Sequence, residues 1–425
     1  MKFRRSTSTA AIALLATLVL PIRCAAQQDK RTPPHNTVSD LGTLGATYSV
    51  AVGMNEAGWV DCFSTLPGDI ETHTFLWRQG VMTDLGTLGG SNSSTVFRLN
   101  ESGEIAGASD TLATDPWQEN FCGFGTPVTC LPFVWKNGTM AALPTLGGNN
   151  AVANEINNRG QITGVSENTT QDPSCTVPLI FQFKPVLWDN GQIRELPTFP
   201  GDPDGYALGI NDNGQVVGNS GTCTNPFLHA LLWRNDSVTD LGNLGGAFNN
   251  AAIEVNNQGQ VVGQSDVTGD ATYHAFLWQG GVMTDLGTLP GDMGSIPDAI
   301  DNKGHVVGAS FDASGNLRAF LWQDGVMTDL NNLIPTDSQL YLIEATHVIT
   351  SSGKIAGYAL VISTGEIHAF VANPIHGEAA GQSAVPVAPD ETTQRPKIAL
   401  PENTRKLVAR RLLVGRFKRG LTSPE

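Results

Sequence analysis

The sequence contains no Gly-x-Ser-x-Gly elbow, no phosphate-cradling P-loop and no His-Glu-x-x-His pair, so three common catalytic frameworks have no anchor in it. No run sustains a helical period, which leaves strands as the regular element. The apolar run over residues 10–20 is too short to span a bilayer. The six cysteines never stand as Cys-x-x-Cys, and a paired zinc site is excluded on that spacing. Positive charge is scarce in the middle of the chain. Of 25 Lys and Arg residues, 6 precede residue 38 and 9 follow residue 373, leaving 10 basic against 34 acidic side chains between. A region at −24 repels phosphate backbones, so nucleic acid is not an expected partner. Cations, basic proteins and neutral glycans stay open.

What the sequence does contain is a repeat. Residues 274–310 show it most fully: an aromatic-Leu-Trp run, a Met-Thr-Asp-Leu run, a Gly-rich turn, an Ile-Asp-x-x-Gly turn and a Val-Val-Gly-x-Ser run. The Trp recurs at Trp77, Trp135, Trp188, Trp233, Trp278 and Trp322, the shorter steps being 45 residues or so, a period typical of propeller blades. Each unit reads as four short strands rich in β-branched and aromatic residues, with Gly, Asn or Asp at the junctions. The turn between the first two strands carries Asn55, Asn100, Asn157, Asn211, Asn256 or Asp301, with Thr350 in the last copy. Three residues later comes Gly58, Gly103, Gly160, Gly214, Gly259, Gly304 or Gly353. The side-chain oxygen accepts a backbone N–H and the Gly takes positive φ, which is hairpin chemistry.

Counting first strands, near Ser49, Thr95, Ala151, Gly205, Asn250, Ser295 and Glu344, gives seven. The last copy stops after His368-Ala-Phe-Val-Ala372 without a fourth strand, whereas residues 38–45 form a fourth strand with nothing before it. Together they make one blade. The expected fold is all-β: a seven-bladed β-propeller of four-stranded blades over residues 38–373, its last blade closed by the N-terminal strand, which removes open edges. The His-Ala-Phe-Leu-Trp and Met-Thr-Asp-Leu-Gly-Thr-Leu-Gly-Gly runs resemble the bacterial extracellular HAF-repeat family, best around Trp77, Trp278 and Trp322. Leu131 and Lys184 replace the His, and Ala142 the Asp. The resemblance implies secretion and a repeat architecture, and no particular activity.

Residues 1–26 read as a signal peptide: Lys2, Arg4 and Arg5, then the apolar run, then Cys24-Ala25-Ala26. Ser6-Thr7-Ser8 do not fit the twin-arginine route, and Arg23 is a poor neighbour for lipid attachment at Cys24. A secreted protein, extracellular or periplasmic, is expected. Residues 27–37 are a spacer, and residues 374–425 a flexible linker followed by a basic tail, Arg405 to Arg419. That tail suits either an anionic surface or plain solvation.

Loss of Cys24 leaves five cysteines in an exported chain, a setting that favours disulfides. Cys122 and Cys130 are close enough to close a small loop, and the ring places Cys175 beside Cys223. A bridge from Cys175 to Cys122 or Cys130 is the alternative. Cys62 stands where other copies have Gly, and a buried free thiol is expected. The recurring Asp40, Asp84, Asp240, Asp285 and Asp329, with Glu195 in a sixth copy, are expected to cap turns or pair with a neighbouring blade, since active-site carboxylates are rarely supplied as a ring of equivalents. His73, His229, His274 and His368 recur as well, and a zinc site is not expected because equivalent positions on different blades hold them apart. The Trp series is expected to pack the blades. No catalytic or metal-binding residue is assigned. Ca2+ is conceivable at Asp202, Asp204 and Asp292, in turns between blades, although turn chemistry alone accounts for them.

Two loops between second and third strands, residues 110–130 and 167–183, are long where residues 266–273 suffice elsewhere. They carry Trp117, Phe121, Phe124, Phe181 and Phe183. Aromatics on loops held by a rigid scaffold suit recognition, so the expected function is that of a monomeric, non-enzymatic binding or scaffold protein taking a protein or glycan on this rim. The alternatives are a disulfide-tied structural cover for the loops, and a secreted carbohydrate-active hydrolase or lyase for the chain.

Overall fold

Each repeat folds as a four-stranded antiparallel meander, and there are seven. This computed structural model describes residues 36–97, 99–175, 180–235, 237–374 and 395–405. The signal peptide, nearly all of the spacer and the basic tail beyond residue 405 lie outside the described residues. Blade 1 is Ser49–Met54, Val60–Thr65, Thr72–Arg78 and Val81–Asp84. Blade 7 joins Leu340–Ile349, Ile355–Val361 and Ile367–Pro374 to Asn36–Gly42. The strand from the chain's start pairs antiparallel with the last, Val38 opposite Ala372. Blade 7 also packs against blade 1, so the seven sheets form the closed propeller expected from the half-copies.

Burial follows position in the blade. The innermost strand is buried along its length, as in Ala151–Ile156 and Asp204–Ile210. The outermost four-residue strands, such as Val81–Asp84, are largely exposed. Third-strand Phe75, Phe133, Phe276, Phe320 and Phe370 are fully buried, each contributing roughly 1.5–3 kcal/mol of hydrophobic stabilisation. The Trp residues pack the blades as expected. Trp188 and Trp233 are buried, and their indole N–H groups donate to the carbonyls of Pro144 and Pro197 at 2.8 and 2.7 Å.

The turn asparagines do more than shape their own turns. Asn157 Oδ1 accepts from Gln161 N at 3.0 Å, while its Nδ2 donates to Asn211 O of the next blade at 3.0 Å. The same reach links Asn211 to Asn256 and Asn256 to Asp301. One residue on, each side chain accepts the backbone N–H of the previous blade: Glu101 from Glu56, Asn158 from Glu101, Asp212 from Asn158, Asn257 from Asp212 and Asn302 from Asn257. Glu56 accepts from Ser351 at 2.7 Å and joins blade 7 to blade 1. A belt of polar contacts therefore fastens neighbouring blades at this face.

One expectation is corrected. Residues 395–405 fall in the stretch read as a flexible linker and tail, yet they lie against the ring, with Leu400 2% exposed. Leu400 sits in a cluster with Tyr48, Leu317, Tyr341 and Tyr358. Composition alone, rich in Pro and small polar residues, hid the Arg, Lys and Leu that dock.

Candidate functional site

The two insertions are not open loops. In blade 2 the strands Ile105–Thr114 and Val128–Lys136 continue the hairpin outward, and in blade 3 Ile162–Gln171 and Phe181–Asp189 do the same, each pair bulged as it leaves the blade. Asp115 turns the first tip, accepting from Trp117 N at 2.8 Å and Glu119 N at 3.1 Å. Asp172 turns the second, accepting from Ser174 N at 2.7 Å. Both expected disulfides are formed. Cys122–Cys130 closes the blade 2 insertion, and Cys175–Cys223 ties blade 3 to blade 4, with Cα separations of 6.1 and 5.1 Å. Cys62 is free and buried, and burial pushes its thiol well above the usual range.

The five aromatic candidates separate. Phe183 is fully buried with its ring centroid 5.0 Å from that of Tyr206, and Phe121 is buried in the same cluster. Neither can anchor a ligand, which corrects the rim as read from the sequence. Phe183 packs on the innermost strand of blade 4, and Phe121 joins the same cluster from the blade 2 hairpin. Phe124 is half-buried on that cluster. Trp117 is 43% exposed and meets the half-buried Phe181 edge-on, centroids 6.5 Å apart. Leu112, exposed on the same hairpin, adds apolar surface.

Behind these aromatics lies a layer of buried polar groups that sequence reasoning missed. Asn150 Nδ2 donates to Asp115 and Glu167, both at 3.0 Å, and Asn92 Nδ2 donates to Asp110 at 2.9 Å. Burial raises Asp110 against the bonds it receives. Asp204 is pushed up to about 8, first by burial and then by Asp172 beside it, while Asp172 is held below the usual range despite its own burial. The signal for this layer was faint: an Asp or Glu following the Ser at the end of a second strand, as at Asp110, Glu167 and Asp266.

The recurring His and Asp pair within blades rather than between them. His73 meets Asp84, His274 meets Asp285 and His368 meets Asp40, each within 3.0 Å. In blade 3 Lys184 lies 4.0 Å from Glu195, and in blade 6 Arg318 lies 3.0 Å from Asp329. In blade 2 Leu131 and Ala142 depart together. The substitutions that break the repeat thus preserve a matched pair, charged or apolar. His229 is the exception, turning to Asp202 at 2.8 Å. The carboxylates considered for Ca2+ have protein partners: Asp202 holds His229, Asp292 holds Arg318 and Lys397, and Asp204 accepts from Phe183 N.

The opposite face, where the turn asparagines lie, has a cavity of about 420 Å3 at the ring's centre, lined by Met54, Asn157, Asn256, Asp301 and His347 among others. Many of its polar groups belong to the belt. Further in, Phe97 and His347 stand 3.9 Å apart, centroid to centroid, and His347 Nε2 is 3.7 Å from Asp298.

No family model and no curated protein matches the chain. Among solved structures it is similar to the β-propeller domain of the Trilobed protease from Pyrococcus furiosus, at 11% identity over 70% of this chain and 96% of that one, TM-score 0.43. It is also similar to XC5397, a gluconolactonase from Xanthomonas campestris, at 11% identity over 81% and 96%, TM-score 0.37. A third is the Aleuria aurantia lectin with Fucα1-6GlcNAc, at 9% identity over 68% and 96%, TM-score 0.35. Among the described residues no helix is long and apolar enough to cross a membrane.

Proposed function

We propose that the chain is an exported, non-enzymatic binding protein built of HAF-like repeats, and that it takes a protein or glycan on the blade 2 and blade 3 hairpins with Trp117 as principal anchor. The observation that carries this is Trp117 itself: a large aromatic, 43% exposed, supported edge-on by Phe181 on a hairpin that a disulfide closes. A rigid aromatic left in water at a prominent tip is the kind of group around which recognition energy concentrates, and its rigidity lowers the entropy lost on binding. Two disulfides support export through residues 1–26.

The test compares the mature chain with Trp117→Ala on panels of immobilised polysaccharides and of extracellular and periplasmic proteins, scoring binding and turnover. The expected result is one binder without turnover, its affinity falling roughly thirtyfold, about 2 kcal/mol, in the variant at unchanged melting temperature. Equal binding by the variant would reject the anchor, and turnover of a polysaccharide would reject the non-enzymatic reading.

A further inference from the structure

On the far side of the loop face from the hairpins, residues 395–405 lie along blades 6 and 7 without joining either sheet. Their contacts are specific. Arg395 donates from Nη1 to the carbonyl of Leu340 at 2.8 Å and from Nη2 to that of Ser338, while its backbone N–H donates to Asn332 Oδ1 at 2.8 Å. Lys397 Nζ lies between Asp292 at 2.7 Å and Asp312 at 2.8 Å. Ile398 packs beside the tyrosine cluster and Leu400 enters it, its backbone N–H donating to Asn316 Oδ1 at 2.9 Å. Arg405 reaches the carbonyl of Ser314 at 3.0 Å.

The groove's own charges are unbalanced. Asp292, with its side chain fully buried, Asp312 and Asp329 face a single guanidinium, Arg318, which bonds Asp292 and Asp329. Lys397 supplies a second cation. Burial opposes charge on both Lys397 and Asp312, yet the bonds of Lys397 to Asp292 and Asp312, and the further hydrogen bonds to Asp312, outweigh it, leaving Lys397 raised and Asp312 far below the usual range. Beside these carboxylates, the pit taken by Leu400 is lined by Tyr48, Leu317, Tyr341 and Tyr358. Backbone carbonyls for a guanidinium, paired carboxylates for an ammonium and an aromatic pit for a branched aliphatic form a recognition pattern. The ring is complete without the segment, because the strand Asn36–Gly42 already closes blade 7.

We infer that this groove is a peptide-binding site for extended basic segments of the form Arg-x-Lys-x-x-Leu, and that residues 395–405 are its ligand carried in cis, displaceable while the ring stays folded. The inference is independent of Trp117, which lies on other blades. Twenty residues, 375–394, join the ring to the segment.

The test uses the full mature chain with a site-specific protease sequence replacing residues 381–386. After cleavage, the C-terminal fragment is expected to remain bound at low salt and to leave in 1 M NaCl, because screening at that ionic strength reaches to about 3 Å. The stripped ring should keep its near-ultraviolet spectrum. Back in low salt, it should rebind a labelled peptide of residues 395–405, and the peptide carrying Lys397→Ala should bind at least tenfold more weakly. Three outcomes would each overturn the proposal: a ring that unfolds when the fragment leaves, rebinding indifferent to Lys397, or an uncut chain that is a dimer held by exchanged segments.

Discussion

Blade 7 and the group of blades 2 to 4 are fastened by opposite means. Blade 7 has no covalent tie. Its outer strand comes from the other end of the chain, paired by a backbone ladder and by His368 with Asp40, across 328 residues of sequence. Blades 2 to 4 are continuous in the chain, yet carry both disulfides and the buried carboxylate layer. Ladder hydrogen bonds are what closure requires, so the seam needs only a strand of the right register. The hairpins project from the ring on bulged two-stranded ladders, and cross-links reinforce them.

Removing residues 36–42 should therefore have the largest effect of all. It leaves Ile367–Pro374 with an unpaired edge and uncovers the apolar groups behind it. Calorimetry of the truncated protein is expected to show the whole ring melting at least 10 °C lower, with association at raised concentration. An unchanged melting temperature in a monomer would mean that the seam does not hold the ring.

The disulfides should rank next, and unequally. Constraint of the unfolded chain grows with loop length, and the separations are 48 residues for Cys175–Cys223 and 8 for Cys122–Cys130. The expected losses are about 4 and about 2.5 kcal/mol. Paired Cys→Ser variants compared in urea would measure them. Equal losses would show that native strain, rather than chain entropy, governs these links.

Acid and alkali should divide the two regions with the smallest effect. Bonding to Asp40 raises His368, so the His368 contribution is full below about 6.5 and is lost as pH rises through its folded value. Asp40 is lowered, its bonds to His368 and Gly42 outweighing burial, so its contribution is present above about 3.9 and is lost as pH falls through its folded value. The seam is therefore firmest between roughly pH 4 and 6.5. Asp204 behaves oppositely: raised to about 8, its protonated form fits blade 4, so its contribution is full below about 3.9 and declines as pH climbs from there towards 8. Asp204→Asn keeps the acceptor for Phe183 N and should flatten that decline by on the order of 1 kcal/mol. A variant with the same slope as the parent over that range would remove Asp204 from this role.

How much of this was legible in the sequence depends on how far each feature reaches. The Asn and Gly of the turns declare the hairpins because a turn is decided within five residues, and positive φ at Gly58, Gly160 and Gly353 follows from that spacing. The half-copies at Val38 and Ala372 declare the seam, since each lacks what the other supplies. The cysteines declare their partners once adjacent blades are counted. The rim was legible only as a location. Whether Phe121, Phe183 or Trp117 meets solvent depends on strand extension beyond the blade, which residue type does not report.

The sequence by itself determined the strand pattern, the number of blades and the order of closure, because these depend on local backbone chemistry repeated at a fixed period. Only the tertiary structure decided the partners of groups far apart in the chain. Glu56 meets Ser351 across the seam between blades 7 and 1, Asp202 turns to His229 and Asp292 receives Lys397 from beyond the last blade. Leu400 is buried among Tyr48 beside blade 1, Tyr341 and Tyr358 of blade 7 and Leu317 of blade 6. Such contacts need complementary charge and shape brought together by a ring already closed, and no short stretch of the chain contains both halves of them.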